Sequence, residues 1–222
     1  MIPLRDTIRS NSTPVVTILI ILTNVMVFLY MLSLEPYTQN HFINQYALIP
    51  ARFRLSGVVT SMFLHGGWMH LIGNMWFLWV YGDNVEDILG HGKYLLFYLA
   101  CGVAASFAQY MVSADSRIPM LGASGAIAGV MGAYLIKFPH SRIKTLLPIF
   151  FFWTTVEIPA ALILAYWFIL QFFSGLGSVG YSQVSQGGVA WFAHIGGFIG
   201  GMILISTLPT KERYRHRRDL QW

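Results

Sequence analysis

Six apolar segments, each long or apolar enough to cross a membrane as a helix, dominate the sequence. Only 10% of the 222 residues are charged and 55% are hydrophobic, whereas a soluble domain carries about 25% charged residues. We therefore expect an all-α polytopic membrane protein: a short N-terminal segment (1–13), a six-transmembrane-helix bundle (14–208) and a basic tail (209–222). The segments span approximately residues 14–34, 67–81, 93–113, 122–136, 145–173 and 188–208.

The distribution of positive charge predicts how this bundle is oriented. If the N-terminus is cytoplasmic, eleven of the fourteen Lys and Arg residues lie in cytoplasmic segments and three lie in outer loops. Because an excess of Lys and Arg marks the cytoplasmic side of a membrane protein, we expect both termini to be cytoplasmic. The tail, residues 209–222, would then attract anionic lipid headgroups. That attraction explains the net charge of +5 without nucleic-acid binding.

Polar side chains on the second, fourth and sixth segments are predicted to meet below the outer face. His70 and Asn74 are one turn apart on the second segment, with His65 just before it. Ser124 begins the fourth segment, whose roughly 22 Å of helix is shorter than a hydrocarbon core of roughly 30 Å. That helix must begin below the surface. His194 lies roughly 9 Å into the sixth segment, so it reaches a similar depth.

Small residues recur at every fourth position of the fourth and sixth segments, a pattern that lets two helix backbones pack closely. Taken alone, Ser124 is equally well explained as a packing residue, and His194 as a structural histidine. Because both lie on the stripes that would join their helices, we interpret them as the nucleophile and base of acyl-transfer chemistry. The stripes are Ser124, Ala128 and Gly132, then Gly125, Gly129 and Ala133, and, on the sixth segment, Gly197 and Gly201.

The remaining polar groups fit the stabilisation of an oxyanion. His70 and Asn74 are side-chain donors directed at the same cavity, and the backbone N–H of Ser124 is a third donor. Two alternatives stay open, since Asn74 can instead join helices and His65 can fix a loop. Three histidines could also bind a metal, but the sequence has no HExxH motif and no carboxylate lies among them. We therefore expect no metal.

These motifs resemble those of the rhomboid intramembrane serine proteases, in the bacterial six-helix form. The matching stretches are GASG at the start of a helix, HxxxN at His70 and Asn74, and AHIGGFIGG around His194. The resemblance implies that Ser124 is the nucleophile and His194 the general base and acid. It implies oxyanion-hole roles for His70 and Asn74, and it makes Gly122 the first glycine of the GxSG motif.

The same resemblance implies an endopeptidase of the inner (plasma) membrane that opens to the outer face. Such an enzyme cleaves transmembrane helices of other membrane proteins and uses no cofactor. The sequence departs from the family at Ala128, where some members have an aromatic ring that stacks on the catalytic histidine. This departure leaves open what orients His194.

Two other functions stay open from the sequence. A rhomboid-like protein without activity could bind membrane proteins, although such a protein is expected to lose Ser124 or His194. A transporter could use Glu157 in a proton relay with the histidines, although the paired broken helices of transporters are not evident. We expect Glu157 to lie near the middle of the fifth helix as a neutral structural residue, beside a kink at Pro159.

Overall fold

The structure is a computed structural model that describes residues 2–8, 10–149, 152–179 and 190–211. Residues 188–189 of the sixth predicted segment and residues 212–222 of the basic tail lie outside the described residues. Two short 3₁₀ helices, Pro50–Arg52 and Ser61–Phe63, lie in the first loop. The helices and strands are β1 (Ile2–Asp6), α1 (Val15–Ser33), α2 (Pro36–Tyr46), α3 (Leu55–Thr60), α4 (Trp68–Leu89), α5 (His91–Val112), α6 (Ser124–Lys137), β2 (Arg142–Ile149), β3 (Phe152–Pro159), α7 (Ala160–Val179) and α8 (Trp191–Thr207).

Long apolar helices form the body of the protein. Three of them, α1, α5 and the Ala160–Gly177 part of α7, are long and apolar enough to cross a membrane, and α6 and α8 are shorter apolar helices. Every residue from Gly125 to Tyr134 of α6 is buried, because α4, α5 and α8 pack around that helix. The predicted polytopic helical bundle is confirmed, with the addition of a small sheet.

The fifth predicted segment is wrong in its first half, because residues 145–149 and 152–159 form strands rather than helix. β2 pairs with both β1 and β3 in an antiparallel sheet of order β1-β2-β3. The stretch is rich in β-branched and aromatic residues, which favour strands, and its prolines disfavour a helix interior. The helix α7 begins only at Ala160, whose N–H donates to the Ser141 carbonyl at 2.8 Å.

Glu157 therefore does not lie inside a membrane helix. It is exposed on β3, opposite Lys144 of β2 in the register of the sheet. Pro159 ends the strand instead of kinking a helix. The structure contradicts the position expected for Glu157, and with it the reason for assigning this carboxylate to a proton relay in the membrane.

The helix α4 continues to Leu89, beyond its predicted end at residue 81, and an acidic side chain near its end binds the start of α1. The buried Glu86 carboxylate accepts hydrogen bonds from the backbone N–H groups of Val16 and Thr17, each at 2.8 Å. The Thr17 hydroxyl donates to the same carboxylate at 2.7 Å. A negative charge at a helix N-terminus is favourable, so Glu86 supplies the cap that Pro14 does not.

The strand β1 lies along α4 and α6 and joins the sheet to the helices. Asp6 accepts hydrogen bonds from Asn84 Nδ2 and from the Tyr134 hydroxyl, both at 2.6 Å. Trp76 Nε1 donates to the Pro3 carbonyl at 2.5 Å. Burial raises the pKa of Asp6 to about 7, although the hydrogen bond from Tyr134 opposes the rise. The folded protein therefore favours the protonated form of this carboxyl.

Glycines allow α8 to lie directly on α6, as the small-residue stripes predict. A methyl group added at Gly197 would stand 2.0 Å from the Gly125 carbonyl oxygen, and one added at Gly201 would stand 2.0 Å from that of Gly129. Real Cβ atoms essentially never approach another atom within 3.0 Å, so glycine is required at both positions. This contact brings together the two helices that carry the predicted nucleophile and base.

Candidate active site

Ser124 is the first residue of α6 and follows a segment held by backbone hydrogen bonds. Leu48 and Met120 exchange two of these bonds, with lengths of 3.1 and 2.8 Å, and the N–H of Gly122 donates to the Ser61 carbonyl at 2.9 Å. Gly122 has a φ of 122°, a backbone conformation that other residues rarely adopt. This glycine therefore permits the turn that leads into Ser124, whose side chain is half-buried.

The structure brings Ser124 and His194 into hydrogen-bond contact. Ser124 Oγ lies 2.8 Å from His194 Nε2. His194 is buried on α8, and its distance from Ser124 along the chain means that only the packing of α8 on α6 joins them. A serine hydroxyl at this distance can donate to an unprotonated Nε2, which is the arrangement needed before nucleophilic attack.

A glutamine that was not predicted from the sequence contacts the other nitrogen of the imidazole. Gln171 is buried on α7, and its Oε1 lies 2.6 Å from His194 Nδ1. When Oε1 accepts this hydrogen bond, Nδ1 carries the ring proton and Nε2 can accept from Ser124. The one sequence signal for Gln171 is an uncharged amide within an otherwise apolar stretch.

Two tryptophans contact the His194 ring. Trp167 on α7 has its ring centroid 5.7 Å from that of His194, with an interplanar angle of 36°. Trp191, the first residue of α8, approaches edge-on at 6.3 Å and 87°. Ala128, the position at which some family members have an aromatic ring, is completely buried in α6. The aromatic contacts to the histidine ring therefore come from α7 and α8 rather than from α6.

His70 and Asn74 lie one turn apart on α4 and face the turn that precedes Ser124. A methyl group added at Gly122 would be 2.6 Å from His70 Nε2 and 3.5 Å from Asn74 Nδ2. Asn74 is buried, and His70 is half-buried. The structure thus places both side chains predicted as oxyanion donors beside the backbone that presents the serine.

His65 contacts both of these side chains from the loop before α4. Asn74 Nδ2 donates to His65 Nε2 at 2.9 Å, and the rings of His65 and His70 meet edge-on with centroids 5.0 Å apart. Burial lowers the pKa of His65 to about 4, with a smaller effect from His70. The His65 ring is therefore neutral near pH 7 and can accept the Asn74 hydrogen bond, which fits a supporting role.

Comparison with known proteins assigns this arrangement to a family. Residues 52–211, well over half of the chain, match the Rhomboid domain. The chain belongs to the rhomboid family. The predicted resemblance is therefore confirmed, and it agrees with the membrane-embedded helical bundle described above.

Individual relatives of this rhomboid include mitochondrial and bacterial proteins. Over 137 residues it is 35% identical to Presenilin-associated rhomboid-like protein, mitochondrial, of Homo sapiens, covering 60% of this chain and 36% of that protein. Over 151 residues it is 33% identical to Rhomboid protease GluP of Bacillus subtilis, covering 68% of this chain and 25% of that protein. Rhomboid protein 1, mitochondrial, of Saccharomyces cerevisiae is 28% identical over 187 residues, covering 78% of this chain and 49% of that protein. The chain thus spans less than half the length of these relatives.

Proposed function

We propose that this rhomboid is a serine endopeptidase that hydrolyses peptide bonds in or near the transmembrane segments of other membrane proteins. The observation that carries the proposal is the 2.8 Å contact between Ser124 Oγ and His194 Nε2. The printed name of the Bacillus subtilis relative, a rhomboid protease, supports the same class of reaction. The reaction needs only groups that the chain itself supplies.

The proposed chemistry is acyl transfer through the pair formed by Ser124 and His194, which we call the dyad. His194 Nε2 takes the proton of the Ser124 hydroxyl as Oγ attacks the substrate carbonyl carbon. The same Nε2–H then donates its proton to the leaving amine as the peptide C–N bond breaks and an acyl-enzyme remains. A water molecule, deprotonated by His194, hydrolyses that ester and restores the serine.

The negative charge of each tetrahedral intermediate would be stabilised beside the Gly122 turn. His70 and Asn74 supply side-chain donors there, and the backbone N–H of Ser124 is the third donor. The position of the His70 and Asn74 side chains close to Gly122 supports these roles. Donors aimed in advance at the developing oxyanion typically contribute on the order of 10²–10³ in rate each. His65 supports this site by holding the Asn74 amide.

The expected location is the inner (plasma) membrane, with both termini cytoplasmic and the dyad open to the outer face. The charge bias supports this orientation, since eleven of the fourteen Lys and Arg residues lie on one side. The ends of α4, α6 and α8 meet on that side, where the Lys211 N–H donates to the Ile88 carbonyl at 2.8 Å and Lys137 Nζ to Thr210 Oγ1 at 3.1 Å. Residues 14–208 form the transmembrane domain, and the tail (209–222) would contact anionic lipids.

A transmembrane substrate must reach the dyad sideways, from the lipid. We expect it to enter between α4 and α7, because the described residues of α7 pack mainly against α8, α6 and β3. The outer half of α7 also carries exposed aromatic side chains, including Phe172 and Phe173. A helix with an exposed face can move away more easily than α6, which is enclosed by its neighbours.

Reconstitution in liposomes with a single-span transmembrane peptide, with small residues near its outer end, tests this function. Ser124→Ala and His194→Ala should reduce cleavage to background while leaving the melting curve in detergent unchanged. His70→Ala and Asn74→Ala should keep residual cleavage, lowered on the order of 10²–10³-fold. Cleavage at the normal rate by Ser124→Ala would refute the mechanism, and absence of cleavage by the unmodified protein would favour the inactive binder.

A further inference from the structure

The glutamine on α7 occupies the place at which a catalytic histidine needs an orienting partner. Gln171 is only 8% exposed, and its Oε1 lies 2.6 Å from His194 Nδ1. The helix around it is apolar, and a polar side chain placed there without a partner would be costly. The contact with the imidazole satisfies the amide oxygen of Gln171 and the ring nitrogen of His194 together.

We propose that Gln171 is the positioning residue of the dyad: it holds the proton of His194 on Nδ1 and so keeps Nε2 unprotonated toward Ser124. The proposal rests on the proposed protease function and adds a residue to its site. An imidazole with its proton on Nε2 would donate to the serine instead of accepting from it, and it could not act as the base.

The tautomer of His194 depends on the orientation of the Gln171 side-chain amide. With Oε1 toward Nδ1, the ring proton is drawn to Nδ1. With the amide reversed, its NH₂ would donate to Nδ1 and the ring proton would move to Nε2, which would inactivate the base. The Trp167 and Trp191 rings also contact the imidazole and restrict its rotation, but they offer no acceptor in these ring contacts. Gln171 therefore decides which nitrogen carries the proton.

Gln171 also connects the chemistry to the position of α7. The orienting oxygen belongs to α7, whereas Ser124 belongs to α6 and His194 to α8. If α7 moves outward to admit a substrate, the hydrogen bond to Nδ1 lengthens and the imidazole loses its fixed tautomer. The dyad is therefore fully formed only when α7 lies against α8, so reaction should follow the return of α7 rather than accompany its opening.

Kinetics of two variants test the positioning role. Gln171→Leu removes the acceptor, and the loss of a hydrogen bond to the charged imidazolium should lower kcat roughly 10- to 100-fold with little change in KM. Gln171→Glu keeps an acceptor and adds a charge, so the acid limb of the pH–rate profile should move up by about one pH unit or more. Among the described residues, the ionisable side chain of His70 on α4 also acts on His194, and it is unchanged in both variants.

A purely structural role for Gln171 predicts a different pattern. Both variants would then lose thermal stability and activity in parallel, and the acid limb of Gln171→Glu would stay where it is in the unmodified enzyme. That pattern, or unchanged kcat in Gln171→Leu, would overturn the proposal.

The tautomer of His194 can be measured whether or not the protein cleaves any substrate. In ¹⁵N-histidine-labelled protein, the His194 signals are assigned by their loss in His194→Ala. We expect a protonated Nδ1 and an unprotonated Nε2 near neutral pH, and a mixture of tautomers in Gln171→Leu. A proton found on Nε2 of the unmodified protein would overturn the positioning role. Failure of the protease function would appear separately, as absence of cleavage by the unmodified protein or as cleavage that does not depend on Ser124.

Discussion

Replacing Gly197 by alanine should disconnect Ser124 from His194 without altering either side chain. Gly197 lies one turn after His194 on α8 and faces the first turn of α6, where an added Cβ would stand 2.0 Å from the Gly125 carbonyl oxygen. Real Cβ contacts stay at or above 3.0 Å, so the two helices must separate by at least 1.0 Å, the difference between 3.0 and 2.0 Å.

This separation acts directly beside Ser124, the proposed nucleophile, because Gly125 follows it in the chain. A 1.0 Å separation of the helices along the direction of the hydrogen bond would lengthen the distance between Ser124 Oγ and His194 Nε2 from 2.8 to 3.8 Å. That distance is beyond hydrogen-bond range. A misplacement of about 1 Å can lower the rate on the order of 10²-fold, which corresponds to about 2.7 kcal/mol of transition-state stabilisation. Overpacking should also lower the free energy of unfolding by about 1–3 kcal/mol.

The assay measures kcat/KM for a transmembrane substrate together with the melting temperature in detergent. Gly92→Ala is the matched control, because Gly92 is exposed on α5 and an added methyl group there has no atom within 4 Å. The control should keep its activity, while Gly197→Ala loses it and still melts cooperatively. Unchanged kcat/KM in Gly197→Ala would refute the reasoning that this glycine contact sets the distance between the Ser124 and His194 side chains.

Three further changes test other parts of the molecule. Gly122→Ala places a methyl group 2.6 Å from His70 Nε2 on a backbone with positive φ, so cleavage should fall on the order of 10²-fold as an oxyanion donor is displaced; an unchanged kcat would contradict this role. The pKa of Asp6 is raised from 3.8 to about 7 by burial, so between these values the folded state binds more protons than the unfolded state and stability falls as pH rises. The melting temperature of the unmodified protein, measured relative to that of Asp6→Asn at the same pH, should therefore decline across that range. Phe172→Ala should ease the outward movement of α7 and so raise turnover of a transmembrane substrate. A small soluble probe should react with Ser124 as fast as before. Equal effects on the substrate and the probe would argue against substrate entry beside α7.

The membrane helices are predictable because the requirement for a long apolar run is local in the sequence. The predicted ends of α1, α5, α6 and α8 fall within a few residues of those in the structure. The sheet is not predictable in this way, because a short apolar run has the same composition in a strand as in a buried helix. Its partner strand, Ile2–Asp6, lies at the far end of the chain. The prolines of residues 145–159 were the one sequence feature that indicated a break in the helix, but a kinked helix explains them equally well.

Some contacts of the candidate site are likewise predictable from the sequence, and others are not. The contact between Ser124 and His194 can be predicted from the sequence, because each is a polar group that is costly inside a membrane and lies on a stripe of small residues. That placement predicts the depth of each residue and the helix face on which it lies. Gln171 cannot be found so easily. It carries no ionisable group, and its contact with the imidazole depends on how α7 is rotated against α8, which the spacing within α7 does not determine.

The central claim, that Ser124 is a nucleophile activated by His194, is tested most directly by identifying the residue that a fluorophosphonate modifies. Intact mass and peptide mapping of the purified protein should show one adduct, located on Ser124. The adduct should be absent from Ser124→Ala and lost or greatly slowed in His194→Ala, with both variants folded. Labelling that persists in Ser124→Ala, or that is as fast in His194→Ala as in the unmodified protein, would contradict the account.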